Sequence, residues 1–274
     1  MESPLLPPRP HDSHKALFGR IGIVGGAPGM VGAALLAGRA ALQCGAGLVT
    51  LGVLDEAVRV DFTIPELMFA QPDRLVADSA LTVLAIGPGL GQTRAAFELV
   101  AAALRHPAPL VVDADGLNCL AQREELAQAC AMRTAPTLLT PHAAEAAQLL
   151  GTTTDAVQAD RLGHALELAR RGNVHVVLKG CGSVIAAADG RWWINATGNA
   201  GLASAGSGDV LTGLVVALLA QGWDAEAALL AAVHLHGAAA DELAERLGGN
   251  VGIAAGELIA AARSIFNRWI AEAR

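Results

Sequence analysis

Charge is scarce in this chain. Only 16% of its 274 residues are Asp, Glu, Lys or Arg, no run of Lys or Arg occurs, and the formal net charge is −7. That balance argues against a nucleic-acid surface. No stretch of about 18 uninterrupted apolar residues is present either, so no membrane-spanning helix is expected. Cysteine is sparse: Cys44, Cys119, Cys130 and Cys181 show no paired metal-ligand spacing and read as small buried hydrophobes of a reducing cytoplasm. The opening Met1 to Pro10 lacks a basic start and an apolar signal core, and reads as an extended arm over residues 1–13. No internal repeat and no Pro/Ser linker divides the rest, so residues 14–274 are expected to form one domain. What abounds is apolar and small. Hydrophobic residues make up 53% of the chain and glycine fills 31 positions, enough for a sizeable core with close helix–sheet packing.

Residues 20–25 read as a short apolar strand, 26–29 as a turn, 31–44 as a helix and 48–53 as the next strand, which together make a βαβ unit. The strand pattern repeats at 82–86, 109–114 and 137–140, with helices over 93–104 and 142–150. A longer helix is expected over 154–171, capped by Thr154 and Asp155. Strands follow at 174–179 and 183–187, with Asp189-Gly190 as a hairpin turn into 191–195. From Ser207 onward the chain reads as helical, broken near Gly222-Trp223 and Gly248-Gly249. Strands alternating with helices predict an α/β fold of three layers, a mainly parallel central sheet with helices on both faces. The late hairpin makes that sheet mixed.

A loop of small residues, Asn195 to Asp209, runs into the almost wholly apolar stretch 210–220. Its glycines let backbone N–H groups converge without Cβ obstruction. The helix start adds unpaired donors and about half a positive charge. Such a loop suits an anion, usually a phosphate. Asp209 would then stand ready to take a proton from whatever attacks that anion. The same residues also fit a plain tight turn with Asp209 as a helix cap. The turn alone does not decide.

Ligands in such sheets bind at the carboxyl ends of the strands. Five further turns lie just past a strand: Gly25 to Gly29, Gly87 to Gly91, Asp113 to Asn118, Thr140 to Glu145, and Lys179 to Ser183. Taken singly, each has a plain structural reading. The first fails the G-x-G-x-x-G fingerprint, and the second fits any strand-to-helix turn. His142 and Glu145 suit a helix start, Lys179 a surface charge, and Asp113 and Asp115 caps. Together, six such turns on one rim point to a ligand site. A structural zinc site is not expected; His234 and His236, two apart on a helix, face different sides. The Gly-x-Ser-x-Gly elbow of a serine hydrolase is missing.

These motifs add up to a resemblance. The chain resembles the ADP-dependent NAD(P)H-hydrate dehydratases, a family with the ribokinase-like fold, from His14 to about Gly256. The most specific pieces are Gly32 to Val49, Val112 to Asn118, and Thr197 to Gly213. The resemblance implies repair of damaged NADH or NADPH: ADP phosphorylates the hydroxyl of the hydrated nicotinamide ring (S epimer), and loss of phosphate restores the reduced ring, leaving AMP and phosphate. It implies Asp209 as general base, with N–H groups of Ala205, Gly206, Ser207 and Gly208 as the anion hole. Lys179, Gly180, Cys181, Gly182, Ser183 and Gly208 would contact the nucleotide. Ala34, Gly91 and His142, with Asp209, would bind the hydrated dinucleotide, and Glu145 and Asp113 would help place Mg²⁺.

The chain departs from the family pattern at Met30, where an aromatic residue is expected, and at Ala143-Ala144, where Pro-Gly is usual. It also carries Ser183 for Thr and Leu202 for Met. Some relatives carry an epimerase domain in front; here the epimerase is expected on a separate chain. A homo-oligomer, a tetramer among the options, is expected from apolar helix faces that include Trp223 and Trp269. One rival shares the fold: an ATP-dependent kinase of a small alcohol such as a vitamin precursor or sugar. A regulatory protein with a dead site is disfavoured by the intact Asp209 loop.

Overall fold

A computed structural model describes residues 10–272. Most of the expected arm lies outside the described residues; within 10–13, the Ser13 N–H closes a turn on the Pro10 carbonyl. The chain runs β1 (Arg20–Gly25), α1 (Val31–Gln43), β2 (Leu48–Val53), β3 (Met68–Phe69), α2 (Pro72–Val76), β4 (Val83–Ile86), α3 (Arg94–Arg105) and β5 (Leu110–Val112). It continues through α4 (Asp115–Gln122), α5 (Glu124–Ala131), β6 (Thr137–Leu139), α6 (Ala143–Leu150), α7 (Thr154–Ala159), α8 (Arg161–Gly172) and β7 (His175–Leu178). The hairpin strands β8 (Val184–Ala186) and β9 (Trp192–Ile194) lead into α9 (Ser207–Ala220), α10 (Ala225–Leu247) and α11 (Ala255–Glu272).

Among the described residues one sheet joins nine strands in the order β3-β2-β1-β4-β5-β6-β7-β8-β9. Pairing is parallel as far as β7 and antiparallel at β7–β8 and β8–β9. Side chains alternate across it. Ile21, Ile23, Val83, Ala85 and Val111 join the core with α1, α9, α10 and α11, while Val24, Leu84, Ile86, Leu110 and Val112 join the core under α2 to α8. Both faces are covered, which is why the strands read as continuous apolar runs rather than alternating ones. No helix of the described residues is long and apolar enough to cross a membrane.

The abundance of Ala and Gly is explained where α1 meets α9. A Cβ on Gly213 would lie 2.3 Å from the Ala37 carbonyl oxygen and 2.6 Å from Ala40 Cβ. Neither can swing away, so Gly213→Ala is expected to destabilise the fold by about 1–3 kcal/mol despite alanine's better helix propensity. Urea unfolding measures this; unchanged stability would mean that the two helices can part at no cost.

Two expectations are corrected here. The helix over 154–171 is broken at Asp160 (φ −137°, ψ 71°), whose carboxylate accepts the Gly163 N–H at 2.8 Å and caps α8. The cap of α7 is Thr153, which accepts from the Ala156 N–H, rather than Thr154 or Asp155. Asp competes for backbone donors and prefers the cap to the interior. Trp223 and Trp269 are half-buried within the chain: Trp223 packs on Phe266 and Trp269 on His234. The exposed apolar side chains at the sheet's end are Trp192 and Ile194, on the edge strand β9.

Candidate functional site

The parallel strands end on one rim, and the predicted turns meet there. The β6–β7 pairing extends past the strands through a bridge between His142 and Lys179, with the Lys179 N–H on the Pro141 carbonyl at 2.8 Å. The turns after β4 and β5 touch backbone to backbone: a Cβ on Gly87 (φ 128°) would sit 1.7 Å from the Asp113 carbonyl oxygen. Beside that contact Ala114 holds φ 47° and ψ −121°, a strained setting for a residue with a Cβ. It turns the chain between Asp113 and the start of α4.

Asp113 is 1% exposed, and both its carboxylate oxygens are taken. Oδ1 accepts from Lys179 Nζ at 2.9 Å and Oδ2 from Thr212 Oγ1 at 2.8 Å. Lys179 Nζ also lies 4.0 Å from Glu145 Oε2. Burial works against the Lys179 charge, but Asp113 and then Glu145 outweigh it and hold the ammonium above its usual range. Glu145 is fixed by a reciprocal cap: Oε2 accepts the His142 N–H at 2.8 Å, and His142 Nδ1 accepts the Glu145 N–H at 3.1 Å. That leaves His142 Nε2 to face Glu145 Oε1 at 3.4 Å, on a half-exposed ring. Burial pushes the Glu145 carboxyl up, with Lys179 opposing.

The helix α9 starts over this cluster. Gly206 (φ 87°) makes the turn, where a Cβ would strike Leu36 Cδ1 at 2.4 Å. The Ser207 N–H bonds to the Ser204 carbonyl and its Oγ donates to the Leu202 carbonyl at 2.7 Å. Among the described residues the N–H groups of Gly208 and Asp209 have no backbone acceptor, as first-turn donors do. A Cβ on Gly208 would stand 3.3 Å from Lys179 Nζ and 3.9 Å from Asp113 Oδ2. Backbone donors, an ammonium and a carboxylate thus converge. The Asp209 carboxylate makes no side-chain hydrogen bond among the described residues; burial first, then the Asp113 charge, push its carboxyl up to about 7, with Lys179 opposing. A carboxyl raised that far has the proton affinity that general-base chemistry at neutral pH requires.

The other predicted site residues fall on and around this rim. Gly91 (φ 74°) is half-buried, and its N–H is tied to Asp115 Oδ2 at 2.8 Å. In the 179–183 turn, Gly180 and Gly182 hold positive φ and Cys181 is exposed. Ser183 Oγ closes that turn on itself, accepting the Gly180 N–H and donating to its carbonyl. Ala34 is fully buried and floors the first glycine turn, 3.2 Å from where a Gly26 Cβ would be. Asp113 bonds Lys179 and Thr212, and no group of three or more His, Cys, Asp or Glu side chains that could hold a metal ion is gathered among the described residues. His234 and His236 do face different sides, the first exposed and the second buried. Burial pushes the His236 imidazole down to about 4, beside the Ser207 backbone. Sequence reasoning missed Thr212. Its signal was the spacing, three residues after Asp209 and so on the same helix face.

Comparisons with known proteins identify the family. The family model for NAD(P)H-hydrate dehydratase matches residues 21–262. The ADP-dependent (S)-NAD(P)H-hydrate dehydratase of Neisseria meningitidis is 44% identical over 269 residues, 95% of this chain and 89% of that protein. The bifunctional NAD(P)H-hydrate repair enzyme of Moorella thermoacetica is 43% identical over 259 residues, and the chain spans about half of its length, 48%. The ADP/ATP-dependent NAD(P)H-hydrate dehydratase of Bacillus subtilis, co-crystallised with ATP and Mg²⁺, superposes with a TM-score of 0.85 at 34% identity, covering 96% of this chain and 94% of that one. With a family model covering most of its length and a relative this similar from end to end, the chain belongs to the NAD(P)H-hydrate dehydratase family.

Proposed function

We propose that the protein dehydrates the S epimer of hydrated NADH and NADPH, using ADP and releasing AMP and phosphate. The observation that carries this reading is the half-buried Asp209 carboxyl in the first turn of α9, beside backbone N–H groups that lack a backbone acceptor and with Lys179 beneath Gly208; burial there raises the carboxyl to about 7. Asp209 takes the proton of the ring hydroxyl, and the freed oxygen attacks the terminal phosphorus of ADP, expelling AMP. The N–H groups of Ala205, Gly206 and Gly208 and the Lys179 ammonium meet the charge on the transferred phosphoryl group, while the Ser207 N–H is held by the Ser204 carbonyl. The ring ester then loses phosphate with a neighbouring ring proton, which restores the double bond of the reduced nicotinamide. In this reading the 179–183 turn cradles the nucleotide, while Gly91 and His142 lie on the dinucleotide side.

Mg²⁺ enters as part of the nucleotide co-substrate and neutralises its diphosphate. Glu145 is the carboxylate left to face it, because both Asp113 oxygens are occupied. The epimerase that supplies the S form is read as a separate chain; the two-function relatives support that partnership. Four free thiols fit a cytoplasmic setting, and exposed Trp192 and Ile194 on an edge strand fit a homo-oligomer. The domain reading, 14–274 as one ribokinase-like unit, is supported by the single sheet.

Recovery of reduced-nicotinamide absorbance from hydrated NADH with Mg²⁺ tests the function. Recovery is expected with ADP, and parallel reactions with ATP define the donor. No recovery with either donor, alongside phosphorylation of a small alcohol by ATP, would replace this reading with the kinase.

A further inference from the structure

The loop from β9 to α9 delivers the anion hole and Asp209, yet its own sequence does little to hold it. Residues 195–206 read Asn-Ala-Thr-Gly-Asn-Ala-Gly-Leu-Ala-Ser-Ala-Gly, mostly small residues with much entropy to lose on ordering and little to pack. The hold comes from α10. Thr197 Oγ1 donates to the His234 carbonyl at 3.0 Å. Gly237 lets the helix lie flush against the loop, since a Cβ there would stand 2.2 Å from Thr197 Oγ1. One turn further along, Asp241 accepts the Gly198 N–H on Oδ2 at 2.8 Å and the Asn199 amide on Oδ1 at 2.9 Å.

Hydrogen bonds continue from there to the reacting end. Asn199 Oδ1 accepts the Gly201 N–H at 2.9 Å and shapes the short 3-10 turn Ala200–Leu202. The Leu202 carbonyl then accepts Ser207 Oγ, and Gly208 and Asp209 follow directly. Asp241 is the charged member of this series, and a carboxylate holds its donors about twice as strongly as a neutral acceptor.

We propose that Asp241 is a positioning residue for phosphoryl transfer, acting through Asn199 and the Leu202–Ser207 bond to fix the first turn of α9 over Lys179. The role rests on the function proposed above, and Asp241 itself contacts neither nucleotide nor dinucleotide in it.

Asp241→Ala is expected to lower kcat on hydrated NADH about 10- to 100-fold, the usual scale for misplacing a reacting group by an ångström or less. Its pH profile stays unchanged, and its Tm falls by a few degrees at most because the carboxylate is exposed. Amide hydrogen exchange across 198–209 should speed up. Asn199→Ala, the next link, should behave alike, and the double variant should lose no more than the worse single. Asp241→Asn keeps one acceptor and serves if the Ala variant fails to fold. Wild-type kcat in Asp241→Ala would overturn the proposal, and so would double-variant losses that multiply. Exchange is read on the protein alone, so the two ideas fail separately. An inactive wild type whose loop is loosened by Asp241→Ala rejects the dehydratase; unchanged exchange rejects the positioning role.

Discussion

Asp209→Asn lowers kcat by about 10²- to 10⁴-fold, the range a positioned general base supplies. The amide keeps the shape of the side chain and cannot take the hydroxyl proton. In the wild type, kcat/KM should rise with pH through about 7, the value to which burial and the Asp113 charge push the Asp209 carboxyl. The same shift predicts a stability effect of defined sign. Between the ordinary carboxylate value of 3.8 and about 7, the folded protein keeps a proton that the unfolded chain gives up. Wild-type stability is therefore lost progressively as pH climbs through that window, and Asn, which never ionises, escapes the loss. Asp209→Asn should raise Tm at pH 8 relative to wild type and lose that advantage toward pH 4. Scanning calorimetry of both proteins across this range measures it. An inactive variant whose Tm difference is flat with pH would leave the base in place and remove the buried, raised carboxyl as its explanation.

Much of this architecture was legible in the residues because parallel strands buried on both faces leave strong marks. Residues 20–25 and 48–53 became strands at the expected bounds, since apolar runs closed by glycine have few other solutions. The hairpin at Asp189-Gly190 and the helix breaks at Gly222 and Gly248 were equally plain. The misses have physical causes. The strand β3 is two residues long and earns its pairing from β2 rather than from its own pattern. The break at Asp160 shows in no periodicity, because α7 and α8 both bury apolar residues toward the same core. At the site, residue identity announced the chemistry and tertiary contact assigned the duties. Sequence could set Asp113, Lys179 and Glu145 on one rim. It could not say that Asp113 bonds both Lys179 and Thr212, or that Ala34 is buried beneath the first glycine turn. Ser183 likewise turned inward to close its own loop.

That division of duties makes Lys179→Met the other large-effect experiment. The ammonium lies directly under Gly208 and binds buried Asp113. Two separable losses should follow. Asp113 becomes an uncompensated buried carboxylate, and removing one partner of such a pair costs about 3 kcal/mol or more. The transferred phosphoryl group also loses a fixed positive charge, on the scale of a lost anion-hole donor, about 10²- to 10³-fold in kcat. Lys179 opposes the rise of the Asp209 carboxyl, so without it that carboxyl rises further and the rising limb of the pH profile moves to higher pH. Asp113→Asn removes the anion that lifts Asp209 and should move the limb the other way. The double variant Lys179→Met/Asp113→Asn separates packing from catalysis. With the buried anion gone, unfolding free energy should return toward wild type. The phosphoryl charge stays unmatched, so kcat should remain low. Recovery of both together would mean that Lys179 only neutralises Asp113, and the catalytic charge would have to come from the backbone of α9 alone.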